Sequence, residues 1–375
     1  MDYLLTEQQA MIRDLARKIA QEKIKPVAAR YDESEEFAWP VMKTLAESDL
    51  FGIYLPEAYG GLGGGIFDMC LVTEELSRAC GGIALGYAGT ALGTLPIALH
   101  GSEEQKKKYL PDIAAGKRLA AFCLTEAEAG SDAASIKTTA RKEGDKYVLN
   151  GVKQWITNAG EADVYTVIAL TDKSKGVRGA SAFIVEKGTK GMEFGKKEKK
   201  LGIRASATRE VIFTDCEVPA ANLIAREGMG FIVALKTLDT SRPGVAAQAV
   251  GIAQGALDHA LDYSRTRAQF GAPISSFQAV QHMLADMGTQ VEAARALTYA
   301  VARLVDSGAK GVSKESAMAK LFASDMAMRV TTDAVQILGG YGYMRDAKIT
   351  QIYEGTNQIQ RNVIAANMIK ETLKK

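Results

Sequence analysis

The sequence predicts an α+β protein in three parts: an N-terminal helical domain, a middle antiparallel β-domain and a C-terminal four-helix bundle. Three observations carry that reading. Apolar residues recur at helical spacing through the first third of the chain. From about residue 120 the pattern changes to short β-branched runs separated by loops of Gly, Lys and Asp. From Gly228 the helical period returns in long Ala-rich stretches and persists. The expected boundaries are 1–119, 120–226 and 227–375.

The elements follow in order. Thr6-Glu-Gln-Gln9 is a capping box ahead of apolar Met11, Ile12, Leu15 and Ile19, and Pro26 ends or kinks that helix. A second capping box, Ser102-Glu-Glu-Gln105, opens a helix that stops near Gly116. Between them the glycines of Tyr59–Gly65 mark a flexible turn, because no P-loop Lys-Ser/Thr follows them. In the middle part, Asn150-Gly151 signals a two-residue hairpin. Residues 164–170, 182–185 and 210–213 read as strands, and the basic stretch Lys187–Lys200 reads as a solvated hairpin. Helices are expected over 245–263, 277–306 and 313–338. No strand, Gly-rich turn and helix unit occurs, so a nicotinamide cofactor is not expected.

Composition narrows the function classes. A chain of 375 residues exceeds what one core usually serves. Its net charge of +2 gives no basic excess for nucleic acid. No run of eighteen apolar residues suggests a membrane span, and the first residues carry neither a secretory nor a transit pattern, so the chain is expected to stay in the cytoplasm where it is made, or else to be a mature form already trimmed. Cys70, Cys80, Cys123 and Cys216 lack metal or CxxC spacing and read as free thiols in a reducing compartment. His100, His259 and His282 are scattered, so no protein-bound metal is expected.

Five motifs go further. Phe122-Cys-Leu-Thr-Glu-Ala-Glu-Ala-Gly-Ser-Asp132, Trp155-Ile-Thr-Asn158, Arg267-Ala-Gln-Phe-Gly271, Gln336-Ile-Leu-Gly-Gly-Tyr-Gly342 and Ile352-Tyr-Glu-Gly-Thr-Asn-Gln-Ile-Gln-Arg361 stand in this order. Together they resemble the signatures of the acyl-CoA dehydrogenases, and the resemblance runs from about residue 5 to 370. It implies an FAD-dependent oxidoreductase of fatty acid metabolism, a homotetramer built as a dimer of dimers. The substrate would be an acyl-CoA thioester, and the acceptor electron-transferring flavoprotein. Removing hydrogens from two adjacent saturated carbons needs a positioned base, a group that stabilises the enolate oxygen, and a hydride acceptor. No side chain can accept hydride; a flavin can.

The resemblance carries over residue by residue. Glu354 matches the family's base, and Ile352, Tyr353, Gly355 and the substrate would raise its carboxyl pKa by burial. Its backbone N–H would help hold the thioester oxygen, with Gly355 allowing close approach. Some members place the base just before the Arg of an Asp-x-x-Arg motif. Here that motif is Asp239-Thr-Ser-Arg242, and Ser241 cannot serve. Phe122, Leu124, Thr125, Gly130, Ser131, Trp155 and Thr157 would meet the flavin or the start of the CoA chain. Arg267, Gln269, Phe270, Phe277, Gln278, Gln336, Gly339 and Gly340 would hold the pyrophosphate and adenine, partly for a neighbouring subunit, with the forked Arg suited to pyrophosphate. Thr356, Asn357 and Gln358 complete the cofactor set. Ser131, Asp239, Arg242, Tyr353 and Gly355 would face substrate.

Two departures stand out. The Glu-Pro-Gly usual after the Thr is Glu126-Ala-Glu here. Met344-Arg-Asp346 follows Tyr343 directly, where the family carries a further short loop. Residues 84–95 would line the acyl pocket and are small and uncharged. Ile83 stands where glutaryl-type members usually carry Arg, which disfavours a dicarboxylic substrate. The likeness leans to the short-chain, butyryl-type branch, with branched or cyclic acyl groups also open. Two other readings stay open: an acyl-CoA oxidase on the same fold, which would make hydrogen peroxide, and a silent binding protein, against which the intact Glu354, Thr125, Ser131 and Arg267 argue.

Overall fold

The computed structural model describes residues 3–342 and 357–372, without the side chains of 357–362, 371 and 372. Helices α1 (Glu7–Ile19), α2 (Ala28–Ser34), α3 (Trp39–Glu47), α4 (Ile66–Ala79), α5 (Gly81–His100) and α6 (Glu103–Ala114) come first. Both capping boxes form: Thr6 accepts from the Gln9 N–H and Ser102 from the Gln105 N–H, each glutamine returning the bond. After α1 the chain makes one wide helical turn, Ala20–Ile24, and leaves the helix at Pro26. Helix α5 is long and apolar enough to cross a membrane by length and composition alone. It owes that to its leucines, isoleucines and alanines and to the absence of Asp, Glu, Lys and Arg, and 72% of its most apolar window is buried inside the protein. It is the central helix of the first part.

The strands follow: β1 (Ala120–Cys123), β2 (Thr139–Glu143), β3 (Lys146–Thr157), β4 (Val164–Leu170), β5 (Ala180–Glu186), β6 (Met192–Phe194), β7 (Thr208–Pro219) and β8 (Leu223–Ile224). They form one sheet in the order β6-β7-β3-β2-β4-β5-β8, with β1 on β4. The sheet is mostly antiparallel, as expected, but β1 runs parallel to β4, and β2 meets β4 in parallel at one residue pair. The Asn150-Gly151 hairpin does not exist. That dipeptide lies inside β3, at a register shift against β7. Gly151 has φ +147 and lies so close to Thr138 that a Cβ would come within 2.5 Å of its hydroxyl, while the Asn150 side chain bonds Asp215 on β7. The signal was for positive φ, which a bulge needs as much as a turn does. The true two-residue turn is Gly144-Asp145, between the paired Glu143 and Lys146.

The basic stretch is not wholly solvated either. Lys200 turns inward and donates to the Ser206 carbonyl, the Ser206 hydroxyl and the Thr208 hydroxyl. Burial, helped by the nearby Lys197, pulls its ammonium pKa down to about 8.

Helices α7 (Gly230–Thr266), α8 (Gln278–Asp306), α9 (Ser313–Leu338) and α10 (Asn357–Thr372) complete the chain. α7 begins well before the expected residue 245 and passes through Pro243. A short hairpin of β9 (Ala268–Gln269) and β10 (Ala272–Pro273) joins α7 to α8. One apolar core runs continuously through the N-terminal helices and the sheet. A second, rich in Ala and Val, fills the space between α7, α8 and α9, where small side chains let the helix axes approach.

Candidate active site

The site is built at the seam between α5 and the sheet. Gly93 on α5 lies against β1 so closely that a Cβ there would fall 2.4 Å from the Ala121 nitrogen. One turn earlier, a Cβ on Gly89 would sit 2.8 Å from Thr157 Cγ2. Asn158, fully buried, stitches the same seam. Its side-chain amide donates to the Gly86 carbonyl at 3.0 Å, the Thr90 hydroxyl at 3.2 Å and the Ala120 carbonyl at 3.3 Å. So the helix expected to line the acyl pocket and the strands expected to meet the flavin share one wall.

On that wall β3 carries a second irregularity, between Lys153 and Ile156. Trp155 has φ +56 and is 56% exposed, although its neighbours Gln154 and Ile156 are buried. The bulge turns the indole outward. The same irregularity frees the Gln154 N–H, which donates to the Thr125 carbonyl at 2.8 Å. Thr125 and Thr157 are half-buried, Leu124 is buried, Phe122 is half-buried on β1, and Gly130 and Ser131 are exposed on the following loop.

Two residues beneath this surface were not among those expected at the site. Lys153 is wholly buried and its ammonium pairs with Glu126 at 2.7 Å while donating to the Leu124 carbonyl at 3.0 Å. Glu126 also accepts the backbone N–H of Lys137 at 2.6 Å and of Thr138 at 3.0 Å. Burial pushes the Glu126 carboxyl up, but Lys153 and these donors outweigh it and hold it below the usual range. Burial lowers the Lys153 ammonium, and Glu126 opposes that shift. The only sequence signal was Glu126 itself, inside the first motif.

Arg242 is buried in α7 and pairs with Asp239 at 2.5 Å, which also accepts from Ser313. The Arg242 Nε is buried and has no hydrogen-bond partner among the described residues.

The remaining residues lie elsewhere. α5 runs antiparallel to α7, with Gly81 beside Gln248 and Ile252 and His100 near Lys236. The Gly89–Thr157 contact is therefore roughly level with Arg242. Arg267, at the C-terminal cap of α7, is 25 residues beyond Arg242, or roughly 37 Å at 1.5 Å per residue. There Arg267, Gln269 and Gln278 are exposed, Phe270 is 97% exposed, and the Phe270 and Phe277 rings meet at 6.2 Å. Gly339 and Gly340 are exposed at the same end of the bundle, where Tyr341 meets Tyr263 at 6.2 Å. Gln336 is exposed one turn earlier on α9. Glu354, Tyr353, Gly355 and Thr356 lie outside the described residues, as does the junction at Tyr343–Met344; Asn357 and Gln358 open α10.

This wall offers an outward indole face, threonine and serine hydroxyls, and a loop at Gly130 with nothing within 4 Å of a Cβ position. That donor set and shape suit a flat heterocycle with polar edges. Comparison with known proteins agrees. Models of the acyl-CoA dehydrogenase N-terminal, middle and C-terminal domains match residues 6–117, 121–216 and 228–369. The chain belongs to the acyl-CoA dehydrogenase family. It is 46% identical to a short-chain-specific acyl-CoA dehydrogenase of Clostridium acetobutylicum, over 99% of this chain and 100% of that one. Among solved structures, it matches butyryl-CoA dehydrogenase of Megasphaera elsdenii with TM-score 0.95 and 46% identity, covering 98% of this chain and 100% of that one. A chain described with the electron transferring flavoprotein of Acidaminococcus fermentans matches with TM-score 0.96 and 51% identity, covering 98% and 99%. The protein is an acyl-CoA dehydrogenase and binds FAD, the cofactor of that family.

Proposed function

We propose that this enzyme converts a short saturated acyl-CoA to its 2-enoyl-CoA. The α5–β3 seam supports that reading. Gly89 packs closely on Thr157 and Asn158 bonds Gly86 and Thr90, so the helix expected to line the acyl pocket lies against the expected flavin wall. FAD, when bound, would supply the acceptor for the β-carbon's hydride, and the two electrons taken from the acyl chain would pass on to electron-transferring flavoprotein.

This chain's residues supply the rest. Glu354 takes the α-proton as a carboxylate and leaves the step as a carboxylic acid. Its backbone N–H holds the thioester oxygen as negative charge gathers there, which strengthens in the transition state. Trp155 would offer its indole face to the ring, and Thr125 and Thr157 would donate to its heteroatoms. Phe122, Leu124, Gly130 and Ser131 shape the rest of that wall. Asp239 and Arg242 orient the CoA chain. The preference for a short chain rests on the two short-chain relatives and on the aromatic filling beside α5. Tyr87 is fully buried and packs against Phe51 and Tyr54. We further propose a homotetramer, in which Arg267, Gln269, Phe270, Phe277, Gln278, Gln336, Gly339 and Gly340 complete the FAD site of a neighbouring subunit. Thr356, Asn357 and Gln358 complete the cofactor contacts.

A panel of acyl-CoA thioesters with an artificial one-electron acceptor tests the reaction. Butyryl-CoA is expected to bleach the flavin absorbance of wild type fastest. Glu354→Gln is nearly isosteric and cannot take the proton, so it should bind butyryl-CoA yet bleach at least about 10³-fold more slowly. Full activity in Glu354→Gln would refute the base assignment. A maximum at long chains would refute the substrate.

A further inference from the structure

The Lys153–Glu126 pair poses a question of cost. An ammonium with no exposure pays a large desolvation penalty, and an apolar pair of equal volume would hold two strands together at least as well. What an apolar pair cannot do is bond backbone. This pair bonds three backbone groups. Lys153 takes the Leu124 carbonyl, and Glu126 takes the N–H of Lys137 and of Thr138. Those groups lie on the two sides of the loop that carries Gly130 and Ser131. Glu126 thus closes the neck of a loop whose far end is exposed. Lys153 fixes the start of that loop to β3, two residues before Trp155. The Gln154 N–H holds Thr125 between the two anchors. Every bond in the set except that last one involves an ionised partner, the stronger and more directional kind.

We propose that Lys153 and Glu126 are positioning residues for the cofactor: together they clamp the neck of the 126–138 loop and fix Leu124, Thr125 and Ser131 relative to Trp155 and Thr157. This rests on the reading that those residues face FAD. Neither Lys153 nor Glu126 need touch the cofactor itself. The clamp decides where the donors stand, and displacements of about 1 Å in such donors cost up to about 10²-fold in rate.

Two conservative variants test it. Glu126→Gln keeps the shape but exchanges one acceptor oxygen for a donor, so one of the bonds to Lys153, Lys137 or Thr138 must be lost. Glu126→Asp keeps the charge and withdraws it from the neck. Each is prepared as holoenzyme, stripped, and titrated with FAD. The expected result is folded protein in which FAD affinity falls about tenfold or more and the visible circular dichroism of the bound flavin changes. With butyryl-CoA, kcat should fall about tenfold while KM moves less than about threefold. Folded variants with FAD affinity, flavin dichroism and kcat within about twofold of wild type would overturn the proposal. So would a lower melting temperature with those three unchanged, which marks a purely structural pair. If neither variant folds, hydrogen exchange on wild-type holoenzyme decides. The Lys137 and Thr138 amides should be strongly protected, and rapid exchange there would overturn the clamp. Wild type that binds FAD but is bleached by no acyl-CoA would sink the substrate reading instead, and the FAD titration would still judge the clamp.

Discussion

Asn158 shows how much one side chain can settle. It sits at φ +64, a left-handed conformation that Asn tolerates better than most residues. Its amide has only two N–H donors and shares them among three acceptors across the α5 seam. Two substitutions separate backbone from side chain. Asn158→Gly keeps the backbone relaxed and removes the hydrogen bonds. It should cost about 1–3 kcal/mol, the usual penalty for leaving buried acceptors unpaired. Asn158→Ala loses the same bonds and also strains the backbone, so it should cost about 1 kcal/mol more. Denaturant unfolding of the three proteins gives both differences. Equal stability of the Gly and Ala variants would mean that the left-handed backbone carries no strain. The role of Asn158 was half legible in the sequence. It closes the Trp155–Asn158 motif, but nothing in the motif says that its amide reaches α5, seventy-odd positions upstream.

Elements were legible where one local signal dominates. The capping boxes at Thr6 and Ser102 specify their helices, and the periodic stretches of α8 and α9 end where expected. Failures came where one signal serves two structures. Asn150-Gly151 demands positive φ, which a bulge satisfies as well as a turn. The start of α7 was missed as well: the expected helix opens at 245, yet α7 begins at Gly230 and passes through Pro243. Contacts between elements were not legible at all. Glu186, at the end of β5, binds Lys108 and Tyr109 of α6 and Arg118 just beyond it. Burial alone would raise its carboxyl pKa, but these donors hold it down to about 2. A carboxyl depressed in the folded state contributes stability above its unfolded pKa of about 4.5 and loses it as pH falls through about 2. Glu186→Gln should therefore flatten the acid side of the stability curve between pH 4.5 and about 2. It should leave the alkaline side unchanged. Thermal melts across pH 2–7 check this, and an unchanged acid slope would mean the α6–β5 contact does not hold in solution.

At the scale of the whole molecule, the residues expected to hold FAD fall into two groups. One lies on the Thr125–Trp155–Thr157 wall. The other surrounds the hairpin of Arg267 and Phe270, roughly 37 Å further along α7 at ordinary helical rise. An exposed phenylalanine beside an exposed arginine is an expensive surface to leave in water, and a neighbouring copy that covered it would remove that cost. If each site takes its wall from one chain and its hairpin from another, defects in the two groups must complement each other. Thr157→Ala chains and Arg267→Ala chains should each be poorly active alone. In a randomly assembled equal mixture, a site is intact when its wall comes from an Arg267→Ala chain and its hairpin from a Thr157→Ala chain. That combination has a probability of one half times one half, so about a quarter of the sites should recover. The recovered fraction is read as FAD bound and bleached by butyryl-CoA, after unfolding and refolding the two chains together. If both groups instead serve the same chain's site, no mixture can hold an intact site, and activity will stay at the average of the two variants.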